Sequence, residues 1–173
     1  MSNLNILLIE DNQNDVELVR QALMHEDGKY TLEIAITLRQ GMDLLEAHNY
    51  DVVLLDLLLP DSNPVSILAP LITIMCNHPG EYPTVVVLTG LDDRDIKLEA
   101  LRMGAQGYHP KSSLEPDSEE LWVCLNDASV RGAYIRSLIH EGLPFRSVPT
   151  RVLSNAQRLI DDLLIGASEG GYQ

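Results

Sequence analysis

Short apolar runs alternate with stretches of helical spacing along most of the chain. Five runs are bounded by polar or turn residues, at positions 6–9, 32–36, 52–55, 85–88 and 107–108. Three of them are continuous rather than alternating, which is typical of strands covered on both faces. Between the runs, apolar residues recur at helical spacing, as in Val16, Val19 and Leu23. Five strand–helix repeats predict an α/β fold with a doubly wound parallel sheet.

The third helical stretch, residues 64–77, contains a proline in its interior. Asn63-Pro64 has the form of a helix start, with a capping side chain followed by a proline in the first turn. Pro70 then interrupts the same stretch, and a proline inside a helix removes a backbone hydrogen bond. We therefore expect this helix to kink at Pro70 or to begin late.

The predicted fifth helix is long and is followed by a second amphipathic stretch. It runs over residues 117–141 with no strong breaker except Gly132, and a Gly-Leu-Pro turn ends it. Over residues 150–165 apolar side chains again recur on one face. We therefore divide the chain into a domain at residues 1–130 and a helical extension at residues 131–173.

The apolar face of the second stretch requires a packing partner. An isolated helix of this length is marginal in water, so it must pack on another surface. We favour a homodimer in which two helical hairpins, one from each chain, form a four-helix bundle. The alternative is an intramolecular cap, in which the stretch packs on the same chain's fifth helix or on the domain at residues 1–130. The face consists of Val152, Ala156, Leu159 and Leu163.

Composition excludes several classes of protein. No apolar run reaches the roughly 18 residues that a membrane span needs, and residues 1–5 lack the pattern of a signal peptide. Cys76 and Cys124 have no metal-binding or CxxC spacing. We therefore expect two reduced thiols in a cytoplasmic protein.

The acidic charge of the chain is concentrated in its first part. The net charge is -14, and residues 1–130 carry 22 acidic and 7 basic side chains. Residues 131–173 carry 4 acidic side chains and 5 arginines. Such a domain should be repelled by nucleic acid and by anionic membranes, so we expect proteins or small cations as partners.

Charged and hydroxyl side chains follow four of the five predicted strands. Glu10 and Asp11 follow the first strand, Asp56 the third, Thr89 ends the fourth, and Lys111 follows the fifth. In an open parallel sheet, ligands bind beyond the carboxyl ends of the strands, so these groups should share one crevice. Three carboxylates packed together repel one another. A divalent cation with oxygen ligands, for which Mg²⁺ is the usual choice, removes that penalty.

This set of groups is suited to phosphoryl transfer. An ionised carboxylate can attack phosphorus directly and form an aspartyl phosphate, with no general base. A metal ion offsets charge on the transferring group. The hydroxyl and the ammonium can then contact the remaining phosphoryl oxygens.

Four segments of the chain resemble the signature segments of the response-regulator receiver family. The resemblance covers about residues 4–130 and implies a flavodoxin-like five-stranded parallel sheet of order 2-1-3-4-5, here with a C-terminal helical extension. The segments are Leu-Leu-Ile-Glu-Asp-Asn at 7–12, Val-Leu-Leu-Asp-Leu-Leu-Leu-Pro at 53–60, Val-Leu-Thr-Gly at 87–90 and Gly-Ala-Gln-Gly-Tyr-His-Pro-Lys at 104–111.

The resemblance implies a role for each residue of the crevice. Asp56 is the phosphoacceptor, and Asp11 and Asp56 hold Mg²⁺ with the backbone carbonyl of Leu58. Glu10 acts through a bound water molecule, and Lys111 pairs with the phosphoryl group. The phosphodonor is then a histidine kinase or a phosphotransfer protein, and the chain catalyses only its own phosphorylation and dephosphorylation.

Other positions bear on switching and on the lifetime of the phosphoryl group. Thr89 and Tyr108 resemble the coupled switch pair of the family. Lys111 is followed by Ser112, where the family usually has proline. The positions that help water to reach the phosphoryl group in the family are Leu58 and Leu91 here. Neither leucine can form a side-chain hydrogen bond, so we expect slow loss of phosphate.

Several other functions remain as alternatives. A phosphohydrolase of the haloacid-dehalogenase type would need a second aspartate two residues after Asp56, where this chain has Leu58. A transcriptional regulator would need a larger and more basic effector than residues 131–173 provide. The remaining alternative is the N-terminal receiver piece of a longer signalling enzyme. The favoured interpretation is a switch that signals through protein contacts.

Overall fold

The computed structural model of the chain describes residues 3–62, 66–77, 83–91, 93–116 and 118–140. Within these ranges five strands alternate with five helices, as the apolar pattern predicts. The strands are β1 (Leu4–Ile9), β2 (Tyr30–Ala35), β3 (Val52–Leu55), β4 (Val85–Thr89) and β5 (Gly107–Pro110). The helices are α1 (Gln13–Ala22), α2 (Leu38–Ala47), α3 (Ala69–Asn77), α4 (Arg94–Arg102) and α5 (Glu120–His140).

The five strands form one parallel sheet in the order β2-β1-β3-β4-β5. The predicted flavodoxin-like order is therefore confirmed. Every residue of β3 and β4 is buried, as are all but one residue of β1. In β2, at the edge of the sheet, exposed and half-buried residues alternate. The continuous apolar runs thus mark the three central strands, which helices cover on both faces.

Two apolar cores lie on opposite faces of this doubly wound sheet. Successive side chains of a strand point to opposite faces, so Ile6 and Leu8 enter one core while Leu7 and Ile9 enter the other. The first core is covered by α1 and α5, and the second by α2, α3 and α4. Full burial of one such aliphatic side chain contributes about 1.5–3 kcal/mol. No helix of the described ranges is both long and apolar enough to cross a bilayer.

The third helix begins at Ala69 rather than near residue 64. Pro70 is therefore the second residue of α3, where a missing backbone N–H costs no helical hydrogen bond. Of the two outcomes expected for this proline, the late start is the correct one. The predicted helix start at Asn63-Pro64 lies outside the described residues.

An acidic side chain joins the loop after β3 to the start of α2. The carboxylate of Asp61 accepts hydrogen bonds from the backbone N–H groups of Leu38 (2.8 Å) and Arg39 (2.9 Å). Partial burial raises the pKa of the Asp61 carboxyl, but these hydrogen bonds outweigh it and lower the pKa overall. The loop that follows Asp56 is thereby attached to a neighbouring helix.

Helix α5 continues through residue 130 and contacts the starting end of the sheet. Gly132 lies so close to the sheet that a Cβ atom there would be 1.7 Å from Oγ1 of Thr84. Arg136 donates to the same Oγ1 (2.9 Å), and Arg131 donates to the carbonyl oxygen of Gln106 (2.7 Å). The glycine thus allows close approach of helix and strand. The second amphipathic stretch, residues 150–165, lies outside the described residues.

We expect Gly132→Ala to destabilise the protein although alanine favours helices over glycine by about 1 kcal/mol. The added methyl group overlaps Thr84, and overpacking of this kind costs roughly 1–3 kcal/mol. Urea unfolding measures the difference. Ser137→Ala, at an exposed site of the same helix, is the control and should change little. Added Thr84→Ala should recover part of the loss, whereas a stabilised Gly132→Ala would contradict the packing described here.

Candidate functional site

The side chains of Glu10 and Asp56 meet where β1 and β3 end. The two strands are paired in register, with Ile9 opposite Leu55, and the N–H of Asp56 donates to the carbonyl oxygen of Ile9 at 3.0 Å. Because side chains alternate along a strand, both carboxylates follow residues of the core beneath α2 to α4 and point toward the α1 side. The predicted convergence of the first and third strand ends is therefore present.

The ammonium of Lys111 lies among three carboxylates. Its Nζ is 2.7 Å from Oε2 of Glu10, 2.7 Å from Oδ2 of Asp15 and 3.1 Å from Oδ2 of Asp56. The Glu10 side chain is fully buried, and the side chains of Asp56 and Lys111 are 4% and 12% exposed. These are short, charge-assisted contacts in a poorly solvated environment.

Burial and charge act in opposite directions on these groups. Burial raises the pKa of the Glu10 carboxyl, the Lys111 ammonium lowers it and the charge of Asp56 raises it, with a raised pKa as the net result. Burial lowers the pKa of Lys111. The hydrogen bonds to Asp15 and Glu10, together with the charge of Asp56, outweigh that effect and raise it. Lys111 therefore stays positively charged at neutral pH.

The same cluster offers oxygen ligands for a cation. One carboxylate oxygen from each of Glu10, Asp11 and Asp56 lies within 4.8 Å of the others, with Asp11 exposed and the other two buried. Oδ1 of Asp56 is buried and has no hydrogen-bond partner among the described residues. One ammonium does not balance this number of carboxylates. Hard oxygen ligands with excess negative charge suit a divalent cation such as Mg²⁺.

The two predicted switch residues both contact the backbone of Leu91. Thr89 is buried at the end of β4, and its Oγ1 accepts a hydrogen bond from the N–H of Leu91 at 3.2 Å. The hydroxyl of Tyr108 on β5 donates to the carbonyl oxygen of Leu91 at 2.6 Å. The ammonium of Lys97 lies 5.6 Å from the centre of the Tyr108 ring. Leu91 therefore connects the end of β4 to β5.

Asp15 is a site residue that the sequence analysis missed. It lies in the first turn of α1, directly before the apolar spacing that begins at Val16. The sign that could have identified it is an acidic residue in the first turn of a helix that begins just after Asp11. Leu58, by contrast, follows Asp56 as expected, and its side chain is 56% exposed.

A parallel sheet of order 2-1-3-4-5 with this acidic cluster and lysine at its carboxyl edge defines a receiver-type signalling domain. The family model for the response regulator receiver domain matches residues 6–121. The chain therefore belongs to the response regulator receiver domain family. The predicted resemblance is confirmed.

Curated relatives agree with this assignment. The chain is 30% identical over 109 residues to the cell cycle transcriptional regulator CtrA of Caulobacter vibrioides, which covers 62% of this chain and 44% of CtrA. It is 31% identical over 119 residues to the response regulator ArlR of Staphylococcus epidermidis, covering 68% of this chain and 48% of ArlR. The chain thus spans less than half the length of these relatives.

Solved structures agree as well. The signal receiver domain of an HD domain-containing protein from Pseudomonas fluorescens is 25% identical, with a TM-score of 0.61 over 76% of this chain and 98% of that one. A CheY-like receiver domain protein from Methanospirillum hungatei is also 25% identical, with a TM-score of 0.59 over 76% of this chain and all of that one.

Proposed function

We propose that Asp56 accepts a phosphoryl group from a histidine kinase or a phosphotransfer protein, and that Mg²⁺ is required. The observation that carries the proposal is the environment of Asp56, a buried carboxylate at a strand end. Its Oδ2 lies 3.1 Å from the Lys111 ammonium, while its Oδ1 is buried without a hydrogen bond from the described residues. Such an oxygen retains its lone pairs for attack on phosphorus.

Each residue of the site has a role in this transfer. A carboxylate oxygen of Asp56 forms a bond to phosphorus while the bond from phosphorus to the donor breaks, and the electron pair leaves with the donor. Lys111 offsets charge on the phosphoryl oxygens. Asp11, Asp56 and the carbonyl of Leu58 would hold Mg²⁺, and Glu10 would act through a bound water molecule. When bound, the cation offsets the charge of the carboxylates and of the phosphoryl group.

The switch is expected to act through Leu91. The Thr89 hydroxyl already accepts from the N–H of Leu91, and it can donate its own proton to a phosphoryl oxygen. If Thr89 turns toward the phosphoryl group, the contact to Leu91 is lost. Tyr108, whose hydroxyl donates to the carbonyl of Leu91, is then released from its present position. Thr89 and Tyr108 thereby act as a coupled pair.

We infer that the output of the chain is contact with another protein. The acidic first part of the chain opposes binding to nucleic acid, and the described cysteines are free thiols, as in cytoplasmic proteins. CtrA is by name a transcriptional regulator, and the matched region is less than half of it. A receiver piece of a longer signalling enzyme, or less favourably a transcriptional regulator, therefore remains the second candidate.

We further propose a homodimer through the C-terminal helices. Helix α5 carries exposed apolar side chains at Val123 (53%), Val130 (71%) and Tyr134 (43%), which are spaced along one side of the helix. They offer an apolar surface to a second helix, and residues 150–165 have an apolar face of matching kind. Intramolecular packing of that stretch is the alternative.

Asp56→Asn should abolish phosphorylation by acetyl phosphate, because an amide does not form an acyl phosphate. Intact mass measures the addition of one phosphoryl group. Asp43→Asn, a matched change at an exposed position of α2, should leave phosphorylation unchanged. Removal of Mg²⁺ by a chelator should have the same effect on the natural chain as Asp56→Asn. A phosphorylated Asp56→Asn protein would disprove the assignment.

Leu58→Asn should speed loss of phosphate from the phosphorylated protein. The exposed leucine offers no hydrogen bond to an attacking water molecule, whereas asparagine can orient one. The decay of the phosphorylated species is followed after removal of the donor. Leu58→Ala controls for the smaller side chain and should change the decay rate less. An unchanged or slower decay in Leu58→Asn contradicts the argument.

Leu159→Glu should convert a dimer into a monomer, because it places a charge on the apolar face of residues 150–165. Light scattering of the whole chain measures the mass in solution. Gln157→Glu adds the same charge outside that face and should leave the dimer intact. A chain that ends after His140 keeps the contacts of α5 with the sheet and should be monomeric. A monomeric natural chain rules out the dimer and favours the intramolecular cap.

A further inference from the structure

We propose that Asp15 is a positioning residue for Lys111, which holds the ammonium in place while Asp56 is phosphorylated. The inference rests on the proposed function of Asp56 and deepens it. The contact joins Nζ of Lys111 to Oδ2 of Asp15 at 2.7 Å, across 96 positions of the chain. Asp15 is neither a proposed metal ligand nor the phosphoacceptor.

The ammonium lies close to three carboxylates in this arrangement. A lysine ammonium has three N–H donors. Its Nζ is 2.7 Å from both Glu10 and Asp15 and 3.1 Å from Asp56, and the contact to Asp15 is a hydrogen bond. The longest of the three contacts is therefore the one to the phosphoacceptor. Glu10 and Asp15 are the two anchors that hold Lys111 beside it.

Transfer changes one of these contacts and leaves the other two. When Asp56 forms its bond to phosphorus, the carboxylate becomes an acyl phosphate and loses its own charge, while the leaving group gains one. The phosphoryl oxygens bring their negative charge into the site. The N–H group of Lys111 that pointed at Asp56 can then turn to a phosphoryl oxygen with little movement of Nζ. The bond between phosphorus and the phosphodonor breaks, and acetate leaves when the phosphodonor is acetyl phosphate. No proton from the chain is needed. Glu10 and Asp15 remain bound to the ammonium throughout.

The position of Asp15 makes it an effective anchor. It lies in the first turn of α1, which begins at the Asn12 cap, where the Asn12 side chain accepts from the N–H of Asn14. The Asp15 side chain is 22% exposed. Without it, Glu10 would be the one carboxylate of this group left to hold the ammonium once Asp56 has become an acyl phosphate. The long lysine side chain would then regain conformational freedom, and that freedom would have to be lost again in every phosphoryl transfer.

An acidic residue in a first helical turn also stabilises the helix, so the test must separate this effect from positioning. Asp15→Asn should lower the maximal rate of phosphorylation roughly tenfold, the loss expected from one misplaced charged contact. The rate is measured with saturating Mg²⁺ and increasing acetyl phosphate. The acetyl phosphate concentration for half-maximal rate should change less than the maximal rate. Asp15→Glu, which keeps the carboxylate, should recover part of the rate.

Glu17→Gln is the matched control, since it removes one negative charge from an exposed position of the same helix. Its maximal rate should equal that of the natural chain. Nitrogen-detected NMR of the lysine ammonium groups supplies a readout that is independent of catalysis. The protons of Lys111 should exchange with water faster in Asp15→Asn than in Glu17→Gln, because one anchor is missing.

The outcomes distinguish failure of the proposed function of Asp56 from failure of the positioning role of Asp15. A natural chain that takes no phosphoryl group on Asp56 refutes the proposed function itself. Normal phosphorylation of the natural chain and an equal maximal rate in Asp15→Asn overturn the positioning role alone. Equal losses of rate in Asp15→Asn and Glu17→Gln overturn it too, because the loss would then follow from removing one negative charge anywhere on α1. Asp15→Ser replaces Asp15→Asn if the latter does not fold, since serine is tolerated in a first helical turn.

Discussion

The contact between the Lys111 ammonium and the carboxylates is the interaction on which the site depends. Glu10 and Asp56 are almost completely removed from solvent, and a buried carboxylate without a charged partner is very costly. The ammonium supplies that partner and joins the ends of β1 and β3 to the residue that follows β5. Asp15 extends the same contact to α1. One side chain therefore connects three strands and a helix at the edge where the chemistry takes place.

The same interaction leaves the site incompletely neutralised. Lys111 contributes one positive charge against Glu10, Asp15 and Asp56, and exposed Asp11 adds a further carboxylate nearby. Removing any of these carboxylates would ease the repulsion. The excess negative charge of the cluster favours the divalent cation proposed above. This explains why the folded chain keeps its own acidic groups close together where a simple structural ion pair would need only one.

The sequence predicted most of the sheet and much of the site, because strand ends are determined by topology. Glu10, Asp56, Thr89 and Lys111 follow recognisable runs, and in a parallel sheet those ends share one edge. Asp15 was missed because its partner is distant in the chain and the contact depends on how α1 packs. The role of Leu91 is carried by its backbone, which leaves no sign in residue type. Gly132 could be recognised in the sequence as a helix breaker. The reason that a glycine is needed there, the close approach of Thr84, could not.

The two ends of the sheet are held by different sets of side chains. At the starting end, α5 is fixed by Arg131 to Gln106 and by Arg136 to Thr84. The side chain of Gln106 in turn accepts from the N–H of Val85 at 2.7 Å, which joins β4 to the residue before β5. At the carboxyl end, β4 and β5 stay paired up to Thr89 and Pro110, and Lys111 contacts the carboxylates of the site. The Tyr108 hydroxyl donates to the carbonyl oxygen of Leu91 at the same end. The contacts at this end include those of Asp56, so the proposed phosphorylation would change them first. Because Lys97 of α4 lies over the ring of Tyr108, the proposed release of Tyr108 would alter the surface formed by α4 and β5.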